Sequence, residues 1–374
     1  MKHTKHMLIT VSILFFLTNP SLAGSVCFGF WPSDIAPDVY QPPWENITHI
    51  ACPDWFPTAK GSLDIDPYTL TQVNDIFSTA KQHNVKPIVC VQCTDDKIMD
   101  SLLAYHIDDL VNNISDTINS TGAQGIMIDF EFPQNTNQYT HTANKELFES
   151  LMQQIYTKEK SINSTYLVGF CTPPLLNSYE DVLINSNLSN YADAVFVMGY
   201  DYNWGQSTTA PNSPFCRKSD RGIKFTLKNQ SNLYGASKLI FGLPLFGYDY
   251  IASSSSPGAP ISYFDYIYLK DALVGAQKYH RQWDADSNTP YYTYQSNGVY
   301  HQIWYDDKES LTLKYQYVSS QGIQGIGFWA AGFEGNNSDI WGTLSQQMNK
   351  QLQPNQQTIS IADFISIIMS VFFN

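Results

Sequence analysis

The sequence predicts a (β/α)8 barrel. Three observations carry that reading. Eight short apolar runs recur along the chain: SVCFGFWP (25–32), NITHIACP (46–53), KPIVCVQC (86–93), GIMIDFEF (125–132), YLVGFCTP (166–173), AVFVMGYD (194–201), LIFGLPLFG (239–247) and GIGFW (325–329). Most are continuous rather than alternating and rich in Val, Ile and Phe, as strands covered on both faces should be. Longer, more polar segments separate them, and strand alternating with helix eight times over closes most simply into a barrel. The count depends on the first, second and last runs, which are the shortest or least regular. A doubly wound sheet is the structural alternative.

Taken from its start, the chain opens on MKHTKHMLITVSILFFLTNPSLAGS, with a basic head at Lys2 and Lys5, an apolar run from Met7 to Leu17 and small residues at Ser21-Leu22-Ala23. This is the layout of a secretory signal peptide over 1–23, too short for a membrane span. The barrel domain is then expected over 24–350. DPYTLTQVNDIFSTAKQHN (66–84) and TANKELFESLMQQIYTKEK (142–160) read as two of its helices. Between the seventh and eighth runs lie about 75 residues rich in Tyr, Ser and Gly, more than a loop holds without structure of its own. The alternating aromatics of PYYTYQSNGVYHQIWYDD (290–307) predict a small β-rich insertion, at about 248–318, on the face where βα loops build active sites. Residues 351–374 form a polar spacer and an apolar tail. They have two readings: a GPI-attachment signal, or an amphipathic terminal helix packed on the barrel. No transmembrane helix is expected.

The formal charge is −13, or −15 without Lys2 and Lys5, which argues against a nucleic-acid partner. A secreted or lysosomal protein is expected. Sequons at Asn46, Asn113, Asn119, Asn163, Asn187, Asn229 and Asn336 suggest a glycosylated surface. Six cysteines stand at 27, 52, 90, 93, 171 and 216. In an oxidising lumen they predict disulfides; the proposed strand order suggests Cys52 with Cys90 or Cys93, and Cys171 with Cys216. The CxxC at 90–93 ends a strand instead of opening a helix, against a thioredoxin-like role. No second CxxC or paired His lies at zinc-ligand spacing.

The chemistry gathers in QGIMIDFEF (124–132), which takes two carboxylates into an apolar strand. Residues two apart on a strand point the same way, roughly 6.6 Å from Cα to Cα. Asp129 and Glu131 therefore share the inner face at the barrel mouth. Carboxyls this close cannot both ionise freely, so one pKa must rise, which suits a general acid. The plainer reading is an ion pair with a distant Arg or Lys, though few basic residues flank the strands.

GIMIDFE resembles the catalytic strand of the family 18 glycoside hydrolases, the chitinase family, whose motif is Asp-Gly-x-Asp-x-Asp-x-Glu. Gly125, Asp129 and Glu131 match it. VMGYD (197–201) resembles the family's Met-x-Tyr-Asp strand and GFW (327–329) its last strand. GLPLFGYDY (242–250) and the segment 290–318 are most similar to the di-N-acetylchitobiase branch. The resemblance implies substrate-assisted, retaining hydrolysis of a sugar containing N-acetylglucosamine, with no cofactor and no metal, by a monomer. Glu131 is the implied general acid/base. Asp129 would orient the 2-acetamido group and stabilise the oxazolinium, Tyr200 would steady it, and Met198, Asp201 and Trp329 would bind the sugar. Each residue also has a plain alternative: Trp329 as barrel filling, Tyr200 as a core tyrosine, Asp201 as an Asx turn.

Two positions depart from the motif. Gln124 and Met127 replace its first and second Asp, and Met127 can neither share a proton nor make a strong hydrogen bond. Asp129 thus lacks an acidic partner below it. The expected activity is cleavage of GlcNAc-β1,4-GlcNAc of the chitobiose type in the breakdown of N-linked glycans. An endo-chitinase and a non-catalytic N-acetylglucosamine-binding lectin are the alternatives; retention of Glu131 speaks against the lectin.

Overall fold

The computed structural model describes residues 26–32, 34–35, 40–132, 138–176, 182–216, 221–337 and 339–342. The expected signal peptide and the C-terminal tail lie outside the described residues.

The elements run β1 (Val26–Phe30), β2 (His49–Pro57), β3 (Leu63–Asp64), α1 (Pro67–Gln82), β4 (Lys86–Cys93), α2 (Asp96–Tyr105), α3 (Ile107–Thr121), β5 (Gly125–Phe130), α4 (Gln138–Ile162), β6 (Leu167–Thr172) and β7 (Ala194–Met198). They continue with α5 (Ile223–Tyr234), β8 (Leu239–Pro244), β9 (Phe246–Ala252), β10 (Ile261–Tyr268), α6 (Leu269–Tyr279), β11 (Gln282–Asp284), β12 (Thr289–Ser296), β13 (Val299–Trp304), α7 (Lys308–Ser319) and β14 (Gly325–Trp329). Eight parallel strands follow one another in space as β1, β2, β4, β5, β6, β7, β8 and β14, and β14 pairs back onto β1. The sheet is closed, so the barrel and not the doubly wound alternative is the fold. All eight apolar runs are its strands.

Burial on both faces explains the unbroken apolar runs. On β5, Ile126, Ile128 and Phe130 join the core under the helices, whereas Met127 joins a second cluster along the barrel axis with Phe28, Cys90, Cys171 and Phe196. Phe196 fills the axis because its neighbours lack side chains. A Cβ on Gly242 or Gly327 would lie 2.3 or 2.5 Å from its ring. Helix ends follow local chemistry: the Asp66 carboxylate accepts from the N–H groups of Tyr68 (2.9 Å) and Thr69 (3.2 Å), with Pro67 opening α1.

The inserted segment forms a five-stranded antiparallel sheet in the order β10-β9-β13-β12-β11. It ends at Trp304, earlier than the expected 318. Asp307 caps the next helix, accepting from the Glu309 and Ser310 N–H groups in a capping box, so α7 returns to the helical ring.

Among the described residues no disulfide joins any of these cysteines. The expected Cys52–Cys90 pair fails because the two side chains belong to different clusters. Cys52 packs under the helices and Cys90 along the barrel axis. Cys93 shares the Cys52 cluster, but Cys52 stands level with Val89, and Cys93 lies well along β4 from there. Cys171 points into the barrel, while Cys216 lies in the segment beyond β7. Proximity of neighbouring strands was a correct premise, but side-chain direction and register decide pairing.

Candidate active site

The site is built where β4, β5, β6 and β7 end. Asp129 is 4 % exposed on the inner face of β5. Glu131 follows just past the strand, its backbone N–H donating to the Cys93 carbonyl at 2.9 Å, which continues the parallel ladder one step. Burial and then the charge of Glu131 push the Asp129 carboxyl up to about 7. Glu131 is exposed by area, yet enough of its carboxyl is enclosed that loss of water raises its pKa too. The expected pair of interacting carboxyls is therefore present, and among the described residues neither forms an ion pair with a base.

Two side chains that the sequence reading did not select hold this pair. The Gln92 amide donates to Asp129 Oδ2 at 3.4 Å and also hydrogen-bonds Glu131. The Cys171 thiol stands beside Asp129 on β6, where it favours the ionised carboxyl. Gln92 had one visible signal, being the lone amide in an apolar strand. Beneath Asp129, Met127 is fully buried. One Asp129 oxygen, Oδ1, is buried without a hydrogen-bond partner among the described residues, so it is free to receive a donor from a bound molecule.

The other expected residues converge on the same mouth. Tyr200 is buried against Phe246, with ring centroids 5.8 Å apart. Its hydroxyl is held far from ionisation, first by burial and then by Cys171, Asp129, Asp201 and Glu131, which also shows how close these groups stand. Asp201 has a left-handed backbone (φ 59°), and its N–H donates to Asn212 Oδ1 at 2.7 Å. Its carboxylate accepts from the Tyr248 hydroxyl of the inserted sheet, a third residue the sequence reading missed. Burial raises the Asp201 carboxyl to about 6, and the Tyr248 donation opposes that rise. Trp329 is half-buried at the end of β14, 5.4 Å from the Phe30 ring, and Met198 packs on the same axial cluster. Gln124 does not join the site. Its backbone N–H donates to the Pro87 carbonyl at the entry to β5, roughly 16 Å of strand below Asp129.

Chemically, the mouth brings together an acid whose pKa is raised by burial, a buried carboxyl with one oxygen lacking a partner, a tyrosine held neutral and the half-buried Trp329 ring. It can donate a proton to a leaving oxygen while stabilising positive charge below.

Comparison with known proteins bears on this geometry. The di-N-acetylchitobiase of Mus musculus is 29% identical over 193 residues, covering 44% of this chain and 51% of that protein. The cortical fragment-lytic enzyme of Bacillus anthracis is 22% identical over 274 residues, 70% of this chain and 60% of that protein. The chain spans about half the length of several curated relatives it matches. Among solved structures, a mutant class V chitinase from Nicotiana tobaccum in complex with NAG4 superimposes with a TM-score of 0.75 at 16% identity, over 87% of this chain and 99% of that one. That likeness supports the barrel fold. Residues 27–334, spanning every barrel strand but the first residue of β1, match the family described as Glycosyl hydrolases family 18; the chain belongs to that family.

Proposed function

We propose that this protein is a glycosidase that cleaves the β1,4 bond between N-acetylglucosamine residues by substrate-assisted, retaining catalysis. The observation that carries the reading is the pairing of Glu131 at the rim with Asp129 below it, the latter keeping one unpartnered buried oxygen. Glu131 protonates the glycosidic oxygen, and the sugar's 2-acetamido oxygen attacks the anomeric carbon. Asp129 Oδ1 accepts the acetamido N–H and balances the oxazolinium charge; Tyr200 steadies that group. Glu131 then deprotonates the incoming water. Trp329 and Met198 lie beneath the ring and Asp201 binds its hydroxyls.

The substrate we favour is N,N′-diacetylchitobiose or the equivalent core of N-linked glycans, in a lysosomal or secreted setting. Sequons that lie on exposed positions, among them Asn119, Asn163 and Asn229, support passage through the secretory pathway. A second reading, endo cleavage of longer chains, is favoured by one observation. Trp204, 63 % exposed, hydrogen-bonds Tyr266 of the inserted sheet, itself 50 % exposed, and together they form an aromatic lip beside Asp201.

The test is hydrolysis of N,N′-diacetylchitobiose and chitohexaose across pH 4 to 7, beside Glu131→Gln. Cleavage by the native chain and none by the variant supports the reading, and the hexamer products separate exo from endo action. Sugar binding by both without cleavage by either would replace it with a lectin.

A further inference from the structure

The proton held by Asp129 has no acidic neighbour below to go to, because Met127 occupies that place and is fully buried. What the structure provides instead lies to the sides. On one flank, β4 pairs with β5 so that Gln92 stands opposite Asp129, and its amide donates to Oδ2 at 3.4 Å. On the other, β5 pairs with β6 at Ile128 and Phe170, which brings Cys171, the next residue of β6, alongside Asp129 on the axial side. Cys171 is 3 % exposed and its surroundings strongly disfavour the thiolate, so it stays a thiol with a hydrogen to donate.

We propose that Gln92 and Cys171 are positioning residues that hold Asp129 between them and set its protonation, taking over laterally what an acid at position 127 would do from beneath. The proposal rests on the glycosidase reading for its kinetic consequence but not for its structural one.

The physical logic is one of sign. A donor to a carboxylate favours the ionised form, so both residues pull against burial. They are neutral, so neither can trap the proton that Asp129 and Glu131 share. The titratable groups facing Asp129 are Glu131 on its own strand, Cys90 from β4, Cys171 from β6, and Tyr200 and Asp201 from the end of β7; Asp54 of β2 acts on Cys90 behind them. None is a cation, so Gln92 and Cys171 are the groups that favour the ionised form of Asp129. Gln92 also reaches Glu131, which lets one amide orient both carboxyls.

The experiment uses the full chain with 13C-labelled aspartate and measures the Asp129 carboxyl titration by NMR, assigned with Asp129→Asn, for the native protein, Gln92→Ala, Cys171→Ala and Cys171→Ser. The pH dependence of kcat/KM on chitobiose is measured in parallel. Loss of either donor should move the midpoint up by about 1–2 pH units, the size expected for removing one hydrogen bond to a charged group. The kcat/KM profile should shift the same way, and Cys171→Ser should restore both. A midpoint unmoved in both alanine variants overturns the proposal, even if their rates fall. If the midpoint moves but no variant, nor the native chain, cleaves any sugar, the positioning role stands and the glycosidase reading fails.

Discussion

The Tyr248 hydroxyl donates its hydrogen to the Asp201 carboxylate, joining the inserted sheet to the end of β7. Tyr248 is itself fully buried against Phe264 and Tyr266, with ring centroids 5.3 and 5.6 Å away. The insertion thus reaches into the sugar site and opposes the upward pull of burial on Asp201. Tyr248→Phe keeps the ring and removes only the donor. It should raise KM for chitobiose, by at most the roughly ten- to hundredfold that the 1.5–3 kcal/mol of a hydrogen bond to a charged group allows, and move the Asp201 titration above its present value of about 6. An unchanged KM would show that Asp201 is held by its backbone alone.

Glu131→Gln should lower kcat by roughly 10²–10⁴, the range of general acid catalysis, while leaving sugar affinity within a few-fold. In the native protein kcat/KM should fall as pH rises through about 7. The active pair carries one proton, and the value near 7 for Asp129 marks where the last one leaves. A profile flat from pH 5 to 9 contradicts the assignment.

Asp129 also makes a stability prediction. Its folded pKa of about 7 stands above the ordinary value of 3.8, so the folded state holds the proton more tightly. That contribution is complete below about pH 4 and is lost as pH rises through about 7. Asp129→Asn should therefore be indistinguishable from the native protein near pH 4. At pH 8 it should be more stable, by on the order of 4 kcal/mol at most. Thermal melts at the two pH values read this directly, and equal differences at both would contradict it.

The joint between the insertion and the helical ring depends on a buried ion pair. Lys314 of α7 and Asp306 are essentially unexposed and bonded to each other, and Lys314 Nζ also reaches Thr289 Oγ1 of β12 at 3.4 Å. Removing one partner strands a buried charge, so Lys314→Met should cost about 3–5 kcal/mol. Replacing both, Lys314→Met with Asp306→Leu, should recover most of that loss in a denaturant titration. A single variant as stable as the native chain would contradict the pairing.

Trp204→Ala tests the aromatic lip. Stacking of an exposed indole against a sugar face predicts a loss confined to longer oligomers, so KM for chitohexaose should rise several-fold with chitobiose unaffected. Equal effects on both would place Trp204 at the cleaved bond itself.

The barrel was legible because its signal is local. Strands buried on both faces must be apolar along their whole length, and eight such runs were in plain view. Asp129 and Glu131 were legible for the opposite reason, being charges where the pattern has no room for them. Gln92 and Tyr248 were not, although each touches a residue that was identified. They stand 37 and 47 residues from their partners; the register of β4 on β5 brings Gln92 level with Asp129, and the packing of the inserted sheet against the end of β7 brings Tyr248 to Asp201. The disulfide expectation failed on the same point: adjacency of Cys52 and Cys90 follows from strand order, but the pleat turns one under the helices and the other to the axis.

By itself, then, the sequence determined the closed barrel, the insertion before the last strand and the two acids at the mouth, because periodicity and the cost of buried charge are written residue by residue. The tertiary structure alone decided which neutral groups surround those acids and how tightly each proton is held. Register, side-chain direction and burial exist only once the strands have closed on one another.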